Sequence, residues 1–217
     1  MDWKAWHEKY DDPDSAFAQR LAVVRDRIRD ALGQAPPGPL RAISLCAGQG
    51  RDLIPVLAEH PRGPDVHARL VELDADNAEF ARELAAEAGL GRVEVVTGDA
   101  SLTDHYLGIA PADLVLVCGV YGNLRSADIE NTVATCTGLC KTGGTVIWTR
   151  GRQPEPEVVP RICAWYEQHG FEQLWIQEPQ VQMCVAAHRF AGRPTALEPG
   201  IAMFEFLGYD VLYPRPA

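Results

Sequence analysis

The chain has 217 residues, of which 47% are hydrophobic, and its formal net charge is −10 at pH 7. This length and composition are sufficient for one α/β domain with decorations around a single buried core. The acidic balance and the lack of any Lys/Arg cluster argue against a nucleic-acid-binding protein, which usually presents a basic face. The longest apolar run, residues 114–120, is too short to span a bilayer, which needs about 20 residues.

Six cysteines occur, none in a C-x-x-C pair and none grouped with histidines at metal-ligand spacing. Most lie inside apolar runs, where a free cysteine behaves as a small hydrophobic residue. Residues 1–15 contain no apolar segment of the kind found in signal peptides. We therefore expect reduced cysteines, no metal, and a cytoplasmic protein that binds neither membranes nor nucleic acids.

Residues 1–39 are expected to form an N-terminal helical lid or cap. The first ten residues concentrate aromatic and histidine side chains among charges, namely Trp3, Trp6, His7 and Tyr10. These side chains would either pack on the domain or cover a ligand. Asp12-Pro13 predicts a helix start, and apolar residues between Phe17 and Leu32 recur at the three-to-four spacing of an amphipathic helix. Gly33 would end this helix.

Residues 40–193 alternate apolar strand-like runs with helical runs, and residues 194–217 read as a C-terminal extension and tail. The predicted strands are Leu40–Leu45, Val66–Leu73, Arg92–Thr97, Ala112–Cys118, Thr145–Thr149, Phe171–Gln177 and Gln182–Phe190. Five βα units are expected, with a turn at residues 141–144 before the fifth strand. Repeated βα units produce a parallel sheet with helices on both faces.

The short connection at residues 178–181 predicts a hairpin, and hence one antiparallel strand near the sheet edge. The predicted fold class is therefore a Rossmann-like doubly wound α/β fold. Its seven-stranded sheet is mostly parallel, and a helical lid precedes it. Residues 40–193 form the ligand-binding domain in this interpretation.

A glycine-bearing turn at residues 46–52 joins the first strand to a helical pattern. Gly48 and Gly50 would let a ligand approach the backbone, and a helix N-terminus offers N–H donors. A dinucleotide site of the NAD type needs G-x-G-x-x-G, but Leu53 occupies the third glycine position. A P-loop would need a Lys-Ser/Thr pair after the glycines, and none is present. Both phosphate-binding interpretations are therefore disfavoured.

The turn resembles the glycine motif of class I S-adenosylmethionine-dependent methyltransferases, acidic-x-Gly-x-Gly-x-Gly. The motif aligns with Ser44-Leu45-Cys46-Ala47-Gly48-Gln49-Gly50. The last two glycines are kept, whereas Ser44 replaces the acidic residue and Cys46 replaces the first glycine. The resemblance covers roughly residues 40–190. It implies S-adenosylmethionine as the donor and S-adenosylhomocysteine as the product.

Two further positions match the family. Glu72, at the end of the second strand, matches the carboxylate that binds the ribose hydroxyls, and Asp99 matches the residue that holds the adenine amine. The cofactor-binding residues implied by the resemblance are Cys46, Ala47, Gly48, Gln49, Gly50, Asp52, Glu72, Leu73, Asp99, Ala100, Cys118, Gly119 and Arg20. Arg20 and Arg51 are the two candidates for pairing with the carboxylate of the donor, because an arginine fork matches a carboxylate.

The segment after the fourth strand, residues 118–123, lacks the Asn/Asp-Pro-Pro-aromatic run of enzymes that methylate amino groups of bases or amides. No acidic cluster of a catechol-type metal site lies nearby. We therefore expect metal-independent methyl transfer to an O, N or C atom of a small molecule. Candidate catalytic residues are His7, Tyr10, Tyr121 and Asn123. Arg150 and His188 are further candidates for an orienting group, although the apolar strand around His188 favours a core position.

Two alternatives stay open at this point. An enzyme of the same fold can cyclise S-adenosylmethionine or transfer its aminocarboxypropyl group, and a protein can bind the donor without catalysis. All three functions would retain Glu72 and Asp99. The sequence does not decide the oligomeric state.

Overall fold

The computed structural model describes residue 12 and residues 14–213. The strands are β1 Leu40–Leu45, β2 Val66–Glu72, β3 Val93–Thr97, β4 Ala112–Val117, β5 Cys140–Gly151, β6 Phe171–Ile176 and β7 Met183–Phe190. The helices are α1 Ala16–Gln34, α2 Ile54–Glu59, α3 Ala75–Glu87, α4 Ser126–Leu139, α5 Val158–Gln168 and α6 Tyr209–Leu212. Short 3-10 helices occur at Gly63–Asp65, Thr103–Tyr106 and Tyr121–Asn123.

All seven strands form one sheet in the order β3-β2-β1-β4-β5-β7-β6. Strand β7 runs antiparallel to both of its neighbours, whereas the other pairs are parallel. The short connection between β6 and β7 makes this hairpin, because it is too short for a parallel crossover. The predicted fold class, with one antiparallel strand near the edge, is confirmed.

Both faces of the sheet are buried at its centre, so the central strand β4 alternates between two cores. Leu114 and Leu116 face the side covered by α1, α2 and α3, while Val115 and Val117 face the side covered by α4 and α5. This two-sided burial explains why β4 is uniformly apolar. Helix α1 contributes Val24, Ile28 and Leu32 to the first core, so it is a layer of the domain. A lid formed by the first ten residues lies outside the described part and stays a prediction.

The expected five βα units are one too many, because the crossover from β3 to β4 contains a 3-10 helix instead of an α-helix. This crossover holds only residues 98–111 and includes Gly108 and Pro111. Tyr106 fills the space under it: its side chain is fully buried, and its hydroxyl donates to the Ala100 carbonyl over 2.7 Å.

Two predicted boundaries are also wrong. Helix α1 starts three residues later than Asp12-Pro13 suggests, because the Ser15 hydroxyl caps it by accepting from Ala18 N over 3.0 Å. The predicted turn at residues 141–144 belongs to β5. A register shift against β4 lets the strand continue, and Gly144 fits since an added Cβ would lie 2.9 Å from the Ala112 carbonyl oxygen.

Residues 200–213 form a strap that crosses the loops after β3 and β4. Met203 N donates to Ser101 O over 2.8 Å, and Leu207 N donates to Asn123 O over 3.0 Å. The predicted C-terminal extension is therefore fastened to the domain through residue 213. Within the described residues, no helix combines the length and the apolar character that a membrane crossing requires.

Candidate functional site

A cavity of about 520 Å³ lies beyond the carboxyl ends of β1, β2, β3 and β4. The sheet order reverses between β1 and β4, which is where open α/β sheets bind ligands. Except for Gly50, every residue that the resemblance implied for the cofactor lines this cavity: Arg20, Cys46, Ala47, Gly48, Gln49, Asp52, Glu72, Leu73, Asp99, Ala100, Cys118 and Gly119. Arg51, Phe204 and Phe206 also lie in the wall.

The glycine loop turns sharply because three of its residues adopt left-handed backbone conformations. The φ angles are +47° at Cys46, +55° at Gly48 and +66° at Gly50. Glycine is favoured at the last position, because φ is in the left-handed region and an added Cβ would lie 2.5 Å from Ile54 Cδ1 and 3.0 Å from Leu70 Cδ2. Cys46 occupies the position of the family's first glycine and has a left-handed backbone conformation, which glycine adopts freely. Because cysteine has a Cβ, this conformation costs about 1 kcal/mol.

Glu72 fastens this loop to the next one. Its Oε2 accepts from Gly48 N over 2.7 Å, and its Oε1 accepts from Asp74 N over 2.9 Å. Burial raises the pKa of the Glu72 carboxyl, and the two backbone N–H groups oppose the rise. Each oxygen of a carboxylate has two lone pairs, so Glu72 retains acceptor capacity toward the cavity.

Asp99 and Leu73 form the rim beside Glu72. The side chain of Asp99 is exposed, and its Oδ1 accepts from Ser101 N over 2.9 Å, which fixes its direction. Leu73 is 70% exposed although it is apolar. An acceptor group and an apolar side chain therefore stand together at one end of the cavity, an arrangement that suits a flat ring with an exocyclic amine.

Helix α1 supplies one cation, Arg20, to the cavity wall. Arg20 is 8% exposed and lines the cavity with Asp52, whose pKa is raised by burial against the opposing charges of Arg20 and Arg25. The Nε and Nη2 atoms of Arg25 donate to Arg51 O over 2.9 and 2.6 Å. This contact holds α1 against the glycine loop, so the position of Arg20 depends on the loop conformation.

The predicted catalytic residues are not brought together. His7 and Tyr10 lie outside the described residues. Tyr121 is fully buried, and its hydroxyl lies 2.7 Å from the Tyr166 hydroxyl in an aromatic core with Trp148. The prediction that Tyr121 takes part in catalysis therefore disagrees with its position, because the side chain points away from the cavity into the core.

Asn123 is a positioning residue in this structure. Its Nδ2 donates to Gly119 O over 2.8 Å, and its Oδ1 accepts from Tyr209 N over 2.9 Å. It does not line the cavity, so the prediction of a catalytic Asn123 is not supported by its place. It joins the loop after β4 to the strap that carries Phe204 and Phe206.

The sequence analysis missed seven wall residues: Leu21, Val24, Asp74, Ala75, Asn77, Phe204 and Phe206. The first five flank predicted site residues in α1 or after β2, whereas Phe204 and Phe206 come from the strap. The only signal for these two was the apolar character of residues 203–207 near the chain end. His188, by contrast, lies in the core as its strand indicated: it is fully buried, and its Nδ1 accepts from Trp148 Nε1 over 3.2 Å. Burial lowers its pKa to about 4.

All six cysteines are free thiols, and two of them, Cys46 and Cys118, line the cavity. Burial raises the pKa of both thiols well above the ordinary value. They are protonated near neutral pH and are poor nucleophiles. No group of three or more His, Cys, Asp or Glu side chains suitable for a metal ion occurs within the described part of the chain.

No family model matches the chain. It is 25% identical over 169 residues to the uncharacterized protein YnbC of Escherichia coli K12, a match that covers 76% of this chain and 28% of YnbC. The chain therefore spans little more than a quarter of this curated relative.

Solved structures share its architecture. An O-methyltransferase family protein from Burkholderia thailandensis superposes with a TM-score of 0.66 at 17% identity, covering 88% of this chain and 61% of that one. The chain has the fold of class I S-adenosylmethionine-dependent methyltransferases. The CurJ carbon methyltransferase gives a TM-score of 0.62 at 14% identity, with 79% of this chain and 54% of that chain covered. At such identities the likeness shows the fold alone.

Proposed function

We propose that the protein transfers the methyl group of S-adenosylmethionine to a small-molecule acceptor without a metal ion. The observation that carries this proposal is the single cavity shared by the glycine loop, Glu72 and Asp99. Its volume of about 520 Å³ is in the range of small-ligand sites.

The residues in the wall fit each part of the donor. Glu72 has acceptor capacity for two ribose hydroxyls, and Asp99 can accept from the adenine amine. Arg20, or alternatively Arg51, is the partner for the donor's carboxylate. When bound, the donor supplies an electrophilic methyl group on a cationic sulfur. The acidic side chains Asp52, Glu72, Asp74 and Asp99 outnumber the two arginines of the wall, which suits a cation.

The chain contributes mainly orientation and exclusion of water. The Gly48 N–H donates to the Glu72 carboxylate, so the loop that faces the donor is fixed before the donor binds. Phe204 and Phe206 cover the cavity from the strap. Proximity of this kind supplies a large part of the rate of a displacement reaction. His7 and Tyr10 remain the proposed bases for an acceptor that arrives protonated.

Two features favour a small molecule over a macromolecule as the acceptor, with the methyl group transferred to an O, N or C atom. The site is a walled cavity under the strap, and the chain has a net charge of −10, which disfavours a polyanionic partner. The names of the two structural neighbours, an O-methyltransferase family protein and a carbon methyltransferase, agree with methyl transfer.

Product analysis tests the proposal. The chain is incubated with S-adenosylmethionine and a panel of small phenols, amines and carboxylic acids, with and without EDTA, and the products are identified by mass spectrometry. We expect S-adenosylhomocysteine together with one methylated acceptor, at a rate that EDTA does not change.

The other outcomes separate the alternatives. Methylthioadenosine as the product would indicate cyclisation or aminocarboxypropyl transfer. Donor binding without any product would indicate a binding protein. Binding of NAD without binding of S-adenosylhomocysteine would contradict the proposal altogether.

A further inference from the structure

Arg150 is a buried cation near the carboxyl end of β5, with 2% of its surface exposed. Its Nη1 donates to Gly151 O over 3.0 Å, and its Nη2 donates to the Tyr213 hydroxyl over 2.9 Å. Its Nε has no hydrogen-bond partner. In the part of the chain that the structure describes, no carboxylate oxygen lies within 4.0 Å of the guanidinium.

A buried guanidinium without a counter-ion is costly, because it has lost water and cannot release its proton. One acid reaches it indirectly: Glu155 accepts from the Tyr213 hydroxyl over 3.0 Å and is also 3.8 Å from Arg161. Arg152, which follows the end of β5, differs from Arg150 in its hydrogen bonds. It donates to the carbonyls of Val181 and Gln177 in the hairpin and thereby has a structural role.

The guanidinium is not part of the cavity wall, but it lies directly behind the loop after β4, whose first residues, Cys118 and Gly119, line the cavity. Gly119 lines the cavity, and its N–H donates over 2.8 Å to the hydroxyl of Thr149, the residue before Arg150. A Cβ at Gly122 would lie 4.0 Å from Arg150 Nη1, so the side chain runs beside the loop after β4. The strap contributes Phe206 to the cavity wall. At the end of the strap, the Tyr213 ring lies against the guanidinium, with its centroid 5.8 Å from Arg150 Cζ.

We infer that Arg150 binds an anionic oxygen group of the methyl acceptor, either a carboxylate or a phosphate. This inference rests on the proposed function, since it assigns the chemical class of the acceptor at the same site. The Nε–H and Nη2–H groups of a guanidinium form the fork that accepts an anion in a bidentate manner. One arm of this fork donates to the neutral Tyr213 hydroxyl, and the other arm has no partner. An acceptor anion takes both arms and neutralises the buried charge.

Ligand-detected NMR on the full chain saturated with S-adenosylhomocysteine tests this inference with matched probes. The pairs are benzoate with benzamide, indole-3-acetate with indole-3-acetamide, and phenyl phosphate with phenol. The anionic member of at least one pair is expected to bind about tenfold tighter than its neutral partner. The ratio between benzoate and phenyl phosphate decides between a carboxylate and a phosphate.

The preference for the anion should disappear in Arg150→Met and weaken by about threefold in Arg150→Lys, which keeps the charge but loses the fork. It should persist in Arg161→Gln, a control that removes a cation from the same neighbourhood without touching Arg150. Equal binding of charged and neutral probes by the wild type, or an unchanged preference in Arg150→Met, would overturn the inference.

Thermal unfolding separates anion binding from a purely structural role. A structural Arg150 that merely supports Tyr213 predicts that Arg150→Met unfolds at a lower temperature and that no anion raises the melting temperature. We expect the opposite: Arg150→Met is at least as stable as the wild type, and benzoate or phenyl phosphate stabilises only the wild type. Failure of the unliganded wild type to bind S-adenosylhomocysteine would contradict the proposed function, while the anion preference of Arg150 is measured separately.

Discussion

The two halves of the cavity are built in different ways. The cofactor half, which comprises residues 46–52, Glu72 and Asp99, is held by backbone N–H groups of neighbouring turns. The other half, to which we assign the acceptor under the proposed function, comprises Gly119 and the strap, with Arg150 behind them; we call it the acceptor half. It is held by contacts between distant parts of the chain. The bond between Tyr209 and Asn123 spans 86 residues.

This difference separates two functional requirements. Under the proposed function, the donor would be bound by a loop that local backbone bonds hold. The acceptor would be bound beside a strap that lies at the end of the described chain and could change without disturbing that loop. Variants that act on one half should therefore leave the other half nearly unchanged.

The largest effect on the cofactor half is expected from Gly50→Ala. The new Cβ would meet Ile54 Cδ1 at 2.5 Å in a left-handed backbone, so we expect a loss of about 2–4 kcal/mol in the free energy of unfolding. Gly89→Ala is the matched control: its φ is +68°, but nothing lies within 4 Å of the added atom. That variant should lose only about 1 kcal/mol in urea titrations. Equal losses would mean that the fit of the loop against Ile54 is unimportant.

The aromatic core beneath the acceptor half should make stability depend on pH. The pKa of His188 is lowered from 6.5 to about 4 by burial, so the unfolded chain binds the extra proton first as the pH falls. The His188 contribution is complete above pH 6.5 and is lost progressively between pH 6.5 and 4, by about 3 kcal/mol. His188→Asn, which can still accept from Trp148, should lack this part of the pH dependence. Parallel stability profiles for both proteins would contradict the prediction.

Asn123→Ala should loosen the acceptor half alone. The substitution removes the side-chain bonds to Gly119 O and Tyr209 N, so we expect a loss of about 1–2 kcal/mol in unfolding free energy. The KM for the acceptor should rise, while the affinity for S-adenosylhomocysteine stays within about twofold. Calorimetry and steady-state kinetics on the same preparation check both values. A comparable loss of donor affinity would show that the halves are coupled.

The smallest effect is expected from Cys46→Gly. Glycine relieves the strain of a left-handed residue but loses buried side-chain surface, so the unfolding free energy should stay within about 1 kcal/mol of the wild type. Cys46→Val provides the contrast, since a β-branched residue at φ +47° should lose about 2 kcal/mol or more. If glycine were much worse than valine, side-chain packing would outweigh backbone strain at this position.

The structure brings the predicted cofactor residues to one cavity but does not bring the predicted catalytic residues together, and the physical reason is the range of the contacts. Residues 46–52 can be recognised in the sequence because their glycines follow an apolar strand, and Glu72 can be recognised because it ends a predicted strand. Tyr121 is a neighbour of this site in the sequence, but its side chain turns toward the core, which local patterns do not show. The roles of Arg150 and Tyr213 depend on the path of the strap, which only the tertiary structure reveals.

The same limit explains the misread elements. The two glycines of residues 141–144 suggested a turn, but pairing with β4 overrides a local preference. The crossover after β3 offered no periodic signal to distinguish an α-helix from a 3-10 helix.

The most direct measurement is calorimetric binding of S-adenosylhomocysteine to the wild type, Glu72→Gln and Glu87→Gln. Glu87 is an exposed residue at the end of α3, so its variant matches the charge change away from the cavity. We expect Glu72→Gln to lose about 100-fold in affinity, because a charged acceptor for two hydroxyls is replaced, while Glu87→Gln binds as the wild type does. Burial raises the pKa of Glu72 above its ordinary value of 4.5. As the pH is lowered, the affinity of the wild type should therefore begin to fall before pH 4.5 is reached. Undiminished binding by Glu72→Gln, or no binding by the wild type, would contradict a donor site at this cavity.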